Sequence, residues 1–384
     1  MRLLIIFLLI SLFTVPVYSS LYECKTISTE CSPKGVIISP DGKSAYVMNL
    51  ESCSVTVYNT GTGKLIYTIY FPQTCAEGWD YKTESPIPSV AEKPVEGVFT
   101  QNGRYLWVSL HNDSSVAVFD MEGCRFDCLV YKDTVKAILK YADGTVCNKS
   151  YLRISAGKTP KVISVSRDGR RVAVSNWHDR SVSIIDGRNF NVITTIPVSD
   201  VPRGMVFNKD GSVLYVAIMY GNYIETVDTF LWKRKGFIYG VGSAPRDLII
   251  DREGTYVYCS ANQGNNIARV DTADNKVINT VYVGSGPRTL EFSPDEKTIY
   301  VCCYKSNRLY AVDVKSFKVI DILPTGVDPV GVAISPSGDM WVTDQGNNTL
   351  SVFKHKTCAK NLSLTENELL PIPCVTRHAS RVTN

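Results

Sequence analysis

Five basic residues each directly follow a proline, and the last four of them are spaced 42 or 43 residues apart. They are Lys34, Lys161, Arg203, Arg246 and Arg288. If the segments between them are copies of one unit, these side chains form a ring of like charges around a common axis. Such a ring in a narrow, partly dehydrated mouth attracts an anion. The alternative is that these side chains pair with nearby carboxylates and serve only the fold.

Two further units place Val95 and Val330 at the position of the basic residues, and Glu96 beside Val95 adds a carboxylate. We define the top rim as the predicted ligand-binding set, and the top face as the side of the molecule on which it lies. The top rim consists of Lys34, Glu96, Lys161, Arg203, Arg246 and Arg288. Glu96 is also a candidate acid or base if the protein is an enzyme.

Two histidines lie in equivalent loops of neighbouring units, His111 in "LHNDSS" and His178 in "NWHDRS". Two imidazoles brought together could bind a metal ion or act as acid and base. The interpretation that we prefer is that both are solvated loop residues. No CxxC pair and no HExxH motif occurs, so the sequence indicates neither a metal nor a cofactor.

An insertion at residues 72–93 enters the top face and carries three further candidates, Trp79, Asp80 and Tyr81. Long loops on rigid scaffolds often carry binding residues. The alternative is a surface elaboration that binds nothing. Cys75 within this insertion is predicted to form a disulfide with Cys53 or Cys31.

The elements that must position these residues follow from the repeat. A proline, an apolar strand, a turn such as SPDG and a Tyr-Val-like pair recur seven times, at Pro33, Pro94, Pro160, Pro202, Pro245, Pro287 and Pro329. The last four intervals are 42 or 43 residues, and the first two, of 61 and 66, contain insertions. A period of about 40 with short strands is typical of propeller blades. We predict an all-β, seven-bladed β-propeller of four-stranded repeats that bury their faces against one another.

The closure of this ring is also predicted. In the sixth unit we expect strands at 289–292, 298–302, 309–313 and 319–323. The seventh unit lacks a good fourth strand, and alignment on the prolines places Ile27 where Val281 stands. Residues 22–28 are therefore predicted to form the outer strand of the last blade. Cys24 and Cys358 would then lie near one turn, where a disulfide is expected.

A second insertion, residues 121–149, belongs to the opposite, bottom face, because "YLRISAGKTP" after it matches the last strand of a blade. Cys124, Cys128 and Cys147 indicate a disulfide-held lobe. The segment "DTVKAILKYADG" predicts a short helix or a hairpin.

One Tyr or Trp recurs in the second strand of six units. These residues are Tyr46, Trp107, Tyr215, Tyr258, Tyr300 and Trp341. A large aromatic side chain at one position of every unit is predicted to pack between blades.

The units resemble YVTN-type β-propeller repeats, whose pattern is proline, a strand, a Ser-Pro-Asp-Gly turn, Tyr-Val-Thr-Asn and a strand that ends in Asp. Matches include "SPDGKSAYVMN", "SRDGRRVAVSN", "NKDGSVLYVAI" and "SPDEKTIYVCC", and the resemblance covers about residues 22–356. It implies a YVTN-like or quinoprotein amine dehydrogenase-like propeller. It further implies a role in cell-surface layers, adhesion or ligand binding, with enzymes among more distant relatives. The cysteines, the two insertions and the tail depart from the pattern.

The chain ends and the composition bear on location. Residues 1–19 resemble a signal peptide, with Arg2, an apolar run and small residues before a cleavage site. Twelve cysteines favour disulfides in an exported chain. We expect a secreted or extracytoplasmic glycoprotein with a signal at 1–19, a propeller at 20–356 and a tail at 357–384. Glycosylation sequons begin at Asn112, Asn148, Asn347 and Asn361.

These features predict an exported binding module whose top face takes a protein, a glycan or a small anionic ligand. The net charge of +4 does not indicate a nucleic-acid partner, and no later segment is expected to span a membrane. The alternative is a propeller enzyme, a lactonase-like hydrolase or a cofactor-dependent redox protein, that uses Glu96, Asp80, His111 or His178. A third possibility is a structural coat protein, for which self-association would matter and the rim would not.

Overall fold

The computed structural model describes residues 22–80, 83, 85–123 and 133–355. Within these residues the chain forms 31 β-strands and two short 3₁₀ turns, Gln101–Gly103 and Tyr304–Ser306. The strands make seven four-stranded antiparallel blades, so the protein is a seven-bladed β-propeller and the prediction of its fold is confirmed. No helix of the described residues is long and apolar enough to cross a membrane.

The N-terminal strands build the first two blades and a hairpin between them. Strand β1 (Tyr22–Ser28) is followed by blade 1, which contains β2 (Pro33–Ile38), β3 (Ser44–Asn49), β4 (Ser54–Asn59) and β5 (Leu65–Tyr70). The hairpin consists of β6 (Cys75–Asp80) and β7 (Ser85–Val90). Blade 2 contains β8 (Pro94–Thr100), β9 (Tyr105–Leu110), β10 (Ser115–Asp120) and β12 (Val146–Ser155), with β11 (Thr134–Tyr141) in its insertion.

The next four blades each use four consecutive strands. Blade 3 contains β13 (Pro160–Val165), β14 (Arg171–Asn176), β15 (Ser181–Asp186) and β16 (Val192–Pro197). Blade 4 contains β17 (Pro202–Phe207), β18 (Val213–Ile218), β19 (Tyr223–Asp228) and β20 (Lys233–Ile238). Blade 5 contains β21 (Pro245–Ile250), β22 (Tyr256–Ala261), β23 (Asn266–Asp271) and β24 (Lys276–Tyr282). Blade 6 contains β25 (Pro287–Phe292), β26 (Thr298–Cys303), β27 (Arg308–Asp313) and β28 (Lys318–Pro324).

Blade 7 is assembled from both ends of the propeller. It contains β29 (Pro329–Ile334), β30 (Met340–Asp344) and β31 (Thr349–His355), and β1 pairs with β31 as its outer strand. Ile27 lies opposite Leu350, as Val281 lies opposite Ile267 in blade 5. The predicted closure of the ring by residues 22–28 is therefore confirmed, together with its register.

The recurring aromatic side chains pack between blades, as predicted. Trp107 of blade 2 is fully buried, and its ring lies 5.7 Å from that of Phe190 in blade 3. Trp341 of blade 7, also fully buried, lies 6.1 Å from the ring of Tyr58 in blade 1. Since each large ring leaves water only when the next blade covers it, these contacts make the blades depend on one another.

The second insertion forms a hairpin and not a helix. In β11 the buried Ala137 and Leu139 alternate with exposed Lys136, Ile138 and Lys140, which is the period of a strand. Strand β11 pairs with β12 on one side and with β5 of blade 1 on the other, so blades 1 and 2 share one nine-stranded sheet. Cys124 and Cys128 of the predicted disulfide-held lobe lie outside the described residues.

The predicted disulfide of Cys75 with Cys53 or Cys31 is wrong, because all three residues carry free thiols. Cys53 is 1% exposed and packs into the core beside Val55 and Phe71, whereas Cys75 is exposed at the start of the hairpin. The side chain of Cys53 therefore serves the core of blade 1. Cys24 is also a free thiol, and its predicted partner Cys358 lies outside the described residues.

Candidate functional site

A backbone irregularity places the basic residues at the top of the channel. In every blade the register between the first two strands shifts directly after the proline. Such bulges bend a strand and redirect its side chains. The seven residues that follow the prolines all line one cavity: Lys34, Val95, Lys161, Arg203, Arg246, Arg288 and Val330. The predicted convergence of the top rim is therefore observed.

Hydroxyl groups of the second strands hold three of these residues in place. The Oγ of Ser109 donates a hydrogen bond of 2.7 Å to the carbonyl of Lys161 in the next blade. Ser260 donates likewise to the carbonyl of Arg288 at 2.6 Å, and Thr343 to that of Lys34 at 2.6 Å. Each bond crosses from one blade to the next, so the backbone at the rim is fixed by its neighbour. The position corresponds to Thr of the Tyr-Val-Thr-Asn pattern, so this pattern carries a signal for the rim.

The cavity has a volume of about 950 Å³, and the β6–β7 hairpin forms one of its walls. Trp79 and Ile87 of the hairpin line it and are 39% and 40% exposed. Asp80 lies at the end of β6, where its Oδ1 accepts a hydrogen bond of 3.4 Å from the amide of Thr83. Tyr81 lies outside the described residues. The first insertion thus brings Trp79 to the rim.

Polar contacts tie this hairpin to the propeller. Glu92 is 2% exposed and accepts hydrogen bonds from the amide and hydroxyl of Thr74, at 3.0 and 2.8 Å, which close the base of the hairpin. Asn112 of blade 2 donates to the hydroxyl of Ser89 at 3.0 Å and to the carbonyl of Val90 at 2.9 Å. Lys93 pairs with Glu51 of blade 1 at 2.7 Å. The wall is therefore anchored to blades 1 and 2.

Burial and mutual repulsion dominate the electrostatics of the rim. Burial, with Arg288, Arg246 and Arg203 nearby, lowers the pKa of Lys34 to about 7. The same causes hold the pKa of Lys161 well below its usual range, and burial beside Arg203 and Arg288 lowers that of Arg246. Each cation thus makes the charge of the next one less favourable, and an anion in the cavity would relieve all of them together.

Aromatic faces and an amide accompany several of these cations. Trp177 is 9% exposed, and the charged groups of Lys161 and Arg203 lie 4.6 and 4.2 Å from its ring centroid. Arg288 lies 3.8 Å from the ring of Tyr304, and Lys34 donates to Oε1 of Gln345 at 2.9 Å. Contacts with an aromatic face stabilise a cation without neutralising it.

The carboxylate pairing that we considered does not account for Arg246 and Arg288. Among the described residues, neither has a carboxylate oxygen within 4.0 Å. Trp177 and Gln345 were not predicted from the sequence. Both lie just after second strands, in the loops that carry His178 and its equivalents, so the same loop alignment could have found them.

Glu96 is the carboxylate of the rim, and a glycine makes room for it. A Cβ atom at Gly35 would lie only 2.6 Å from Oε2 of Glu96, so the neighbouring blade leaves space for this group. Burial and the charge of Asp247 raise the pKa of Glu96 to about 7, although Lys34 and the arginines oppose this shift. Asp247 and Glu291 also have raised pKa values, of about 6 and about 7, chiefly because of burial. The protonation of Glu96 is therefore sensitive to conditions near neutral pH.

The prediction of two solvated histidines is wrong for His111. This residue is 7% exposed, and its Nδ1 lies 2.8 Å from Nζ of Lys161. Burial and the charge of Lys161 keep the pKa of His111 well below its usual range, so the ring is neutral at pH 7. His178 is exposed, its Nδ1 lies 2.6 Å from Oγ1 of Thr159, and its ring lies 5.9 Å from that of Trp79. Both histidines line a second cavity of about 470 Å³, which Trp79 also lines.

The donor set at this site is cationic and does not resemble a metal centre. No group of three or more His, Cys, Asp or Glu side chains with the geometry of a metal site occurs in the described part of the chain. The arrangement can hold an anion against five cationic groups. It can also present a neutral imidazole beside a lysine of low pKa.

Comparison with protein families supports the fold. A family model described as "Lactonase, 7-bladed beta-propeller" matches residues 92–229, from the start of blade 2 to the end of β19. The chain resembles a lactonase-type propeller there. This region holds Glu96, His111, Lys161 and Arg203. An NHL repeat model matches residues 327–353 in blade 7. The finer assignment to YVTN repeats stays a prediction.

Two individual proteins illustrate how distant the similarity is. Antigen Lp49 of Leptospira interrogans is 28% identical over 123 residues, which are 32% of this chain and 22% of that protein. The match therefore spans about a fifth of the curated relative. Among solved structures, hydrazine synthase of Kuenenia stuttgartiensis superposes with a TM-score of 0.63 at 18% identity, over 85% of this chain and 96% of that one. At this identity the structural likeness supports the fold alone.

Proposed function

We propose that this protein is an exported binding module that takes a small multivalent anion into the cavity of the top rim. The observation that carries the proposal is the convergence of five cationic side chains, from five blades, on one cavity. A cluster of this kind is unfavourable for folding unless a ligand of opposite charge uses it. The lowered pKa values of Lys34, Lys161 and Arg246 support the same view.

The apolar part of the lining narrows the class of ligand. Trp79 and Tyr220 are 39% and 58% exposed at the cavity, and Ile87 lies beside them. Aromatic faces stack against the apolar faces of rings, while the cations bind carboxylate or phosphate groups. A carboxylated or phosphorylated sugar has both features.

The test is calorimetric titration with citrate, pyrophosphate and oligogalacturonate at low salt. We expect the protein to bind at least one of these anions. The affinity should fall by about a hundredfold or more in the triple variant Arg203→Met, Arg246→Met, Arg288→Met, because each substitution removes a charge-assisted contact. The matched control is Arg170→Met, Arg188→Met, Arg252→Met, which removes three exposed arginines from bottom turns. Absence of binding by all three anions, or equal losses in both variants, would contradict the proposal.

A second candidate function, hydrolysis of a lactone, is supported by the family match and by the contact of Lys161 with His111. A lysine and an imidazole of low pKa could remove a proton from an attacking water, while Arg203 stabilises the developing oxyanion. The test is consumption of sugar lactones followed by NMR. Turnover above the uncatalysed rate that is lost in Lys161→Met would favour an enzyme, whereas anion binding without turnover would favour the binding module.

Export is part of the proposal and rests on residues 1–19, which resemble a signal peptide. The intact mass of protein recovered from the medium of its own source should fit a chain that begins at residue 20. A mass that includes Met1 would contradict it.

A further inference from the structure

One bottom turn exposes two large apolar side chains at its tip. Phe230 and Leu231, between β19 and β20 of blade 4, are 72% and 68% exposed. Exposed apolar residues are common singly, but two at the tip of one turn present an apolar point that water does not favour.

The same turn in other blades shows that its construction does not require these residues. In each case Asp or Asn at the end of the third strand accepts amide hydrogen bonds from the tip, and a residue of positive φ follows. The tip pairs in blades 1, 3, 5 and 6 are Gly61–Thr62, Arg188–Asn189, Ala273–Asp274 and Lys315–Ser316. Four equivalent turns thus carry polar or small residues where blade 4 carries Phe and Leu.

In blade 4 the turn is held rigidly. The amides of Phe230 and Leu231 both donate to Oδ1 of Asp228 at 2.9 Å, and Trp232 has a φ of 52°. These bonds fix the backbone and direct the two apolar side chains outward. The turn therefore does not need Phe and Leu at its tip, and we infer that these side chains serve a contact outside the chain.

Cations surround this tip. Lys233, Arg234 and Lys235 follow it directly and are exposed, and the guanidinium of Arg171 from blade 3 lies 5.6 Å from the ring of Phe230. Of the nearby carboxylates, Glu225 pairs with Arg234 at 3.0 Å. Asp228 and Asp210 keep their negative charges, since hydrogen bonds from Leu231 and Ser212 lower their pKa values. The lysines remain as positive charges beside the apolar point.

We propose that this turn is a docking site for an anionic lipid bilayer. Phe230 and Leu231 would enter the boundary between headgroups and acyl chains, and Lys233 and Lys235 would contact lipid phosphates. A bilayer fits this turn because two apolar side chains protrude and lysines lie beside them. A second copy of the chain suits it less, since a stable protein interface buries about 800 Å² on each partner and this tip offers two side chains.

The experiment is co-sedimentation of the protein with vesicles of phosphatidylcholine alone or mixed equally with phosphatidylserine. We expect binding to the mixed vesicles that weakens with salt. Phe230→Ser with Leu231→Ser should reduce it by about tenfold or more, and Lys233→Gln with Lys235→Gln should remove the preference for phosphatidylserine. The control is Ile278→Ser with Tyr282→Ser, which removes two exposed apolar side chains of β24 that are 48% and 77% exposed.

Three outcomes would overturn the proposal. One is that the protein binds neither kind of vesicle. Another is that the control variant loses as much vesicle binding as the variant Phe230→Ser with Leu231→Ser. The third is self-association in solution, measured by sedimentation equilibrium, that Phe230→Ser with Leu231→Ser abolishes. All substituted side chains are at the surface, so we expect each variant to fold. An unchanged unfolding temperature would confirm this.

Discussion

At the bottom of the propeller, acidic residues in the turns are exposed and hydrogen-bonded; at the top rim, they are enclosed. Asp295 accepts hydrogen bonds from the hydroxyl of Ser293 and the amide of Lys297, and its pKa falls to about 2. Glu96 is half-buried among charged groups, and desolvation and the charge of Asp247 raise its pKa to about 7. The same functional group is therefore stabilised as an anion on one face and destabilised on the other.

The difference shows that the charged groups of the bottom turns stabilise the fold, whereas those of the top rim do not. Bottom turns use carboxylates to satisfy backbone amides, which stabilises each blade locally. The top rim gathers charges whose neighbours make them less favourable. Unfavourable electrostatics of this kind are typical of binding sites, where a ligand supplies the missing partner.

The largest expected effect comes from Arg246→Met. Removing the charge of Arg246 relieves its repulsion by Arg203 and Arg288, and Met keeps an apolar side chain in its place. We therefore expect the free energy of unfolding to rise by about 2 kcal/mol. Urea denaturation measures the change, with Arg252→Met in a bottom turn as the control that leaves stability nearly unaltered. Destabilisation by Arg246→Met would mean that the rim is held by interactions that favour its charge.

Anion binding should weaken by about tenfold between about pH 6 and about pH 8. Over this range Lys34, with a lowered pKa of about 7, loses its proton, and Glu96, with a raised pKa of about 7, becomes a carboxylate. Both changes make the cavity less positive. Titrations with oligogalacturonate, whose carboxylates stay ionised across this range, measure the effect, and an affinity that rises with pH would contradict the assigned directions.

At the bottom face, Asp41→Ala should destabilise the protein by about 1 kcal/mol without altering anion affinity. Asp41 accepts hydrogen bonds from the hydroxyl of Ser39 at 2.5 Å and from the amide of Lys43 at 3.0 Å. Denaturation and titration of the same sample measure both quantities. A change in affinity would show that the two faces are coupled.

The smallest effect should come from Glu96→Gln, which removes one negative charge from the rim above pH 7. We expect anion binding about threefold tighter at pH 8 and a flatter pH dependence, with little change at pH 6. Lys34→Met provides the complementary variant, which should weaken binding mainly at pH 6. Equal behaviour of Glu96→Gln and the unaltered protein at pH 8 would assign the pH dependence to other groups.

Much of the site was predictable because the repeat carries it. The position after the proline identified Lys34, Arg203 and the other basic residues, since a local pattern repeated seven times puts equivalent residues on one rim. The burial of each side chain was not predictable. His111 and His178 occupy equivalent loops but not equivalent positions. His111 stands one residue earlier, at the position of the buried Trp177, and is itself buried against Lys161, whereas His178 is exposed.

By itself the sequence determined the number of blades, the spacing of the repeated units, the closure by β1 and the residues of the top rim. These features depend on short patterns and on their spacing along the chain. Only the tertiary structure decided the pairing of β11 with β5, the free thiol of Cys53, the burial of His111 and the opposing pKa shifts of Lys34 and Glu96. Each of these depends on groups from distant parts of the chain, whose proximity and exclusion of water arise only when the ring of blades is complete.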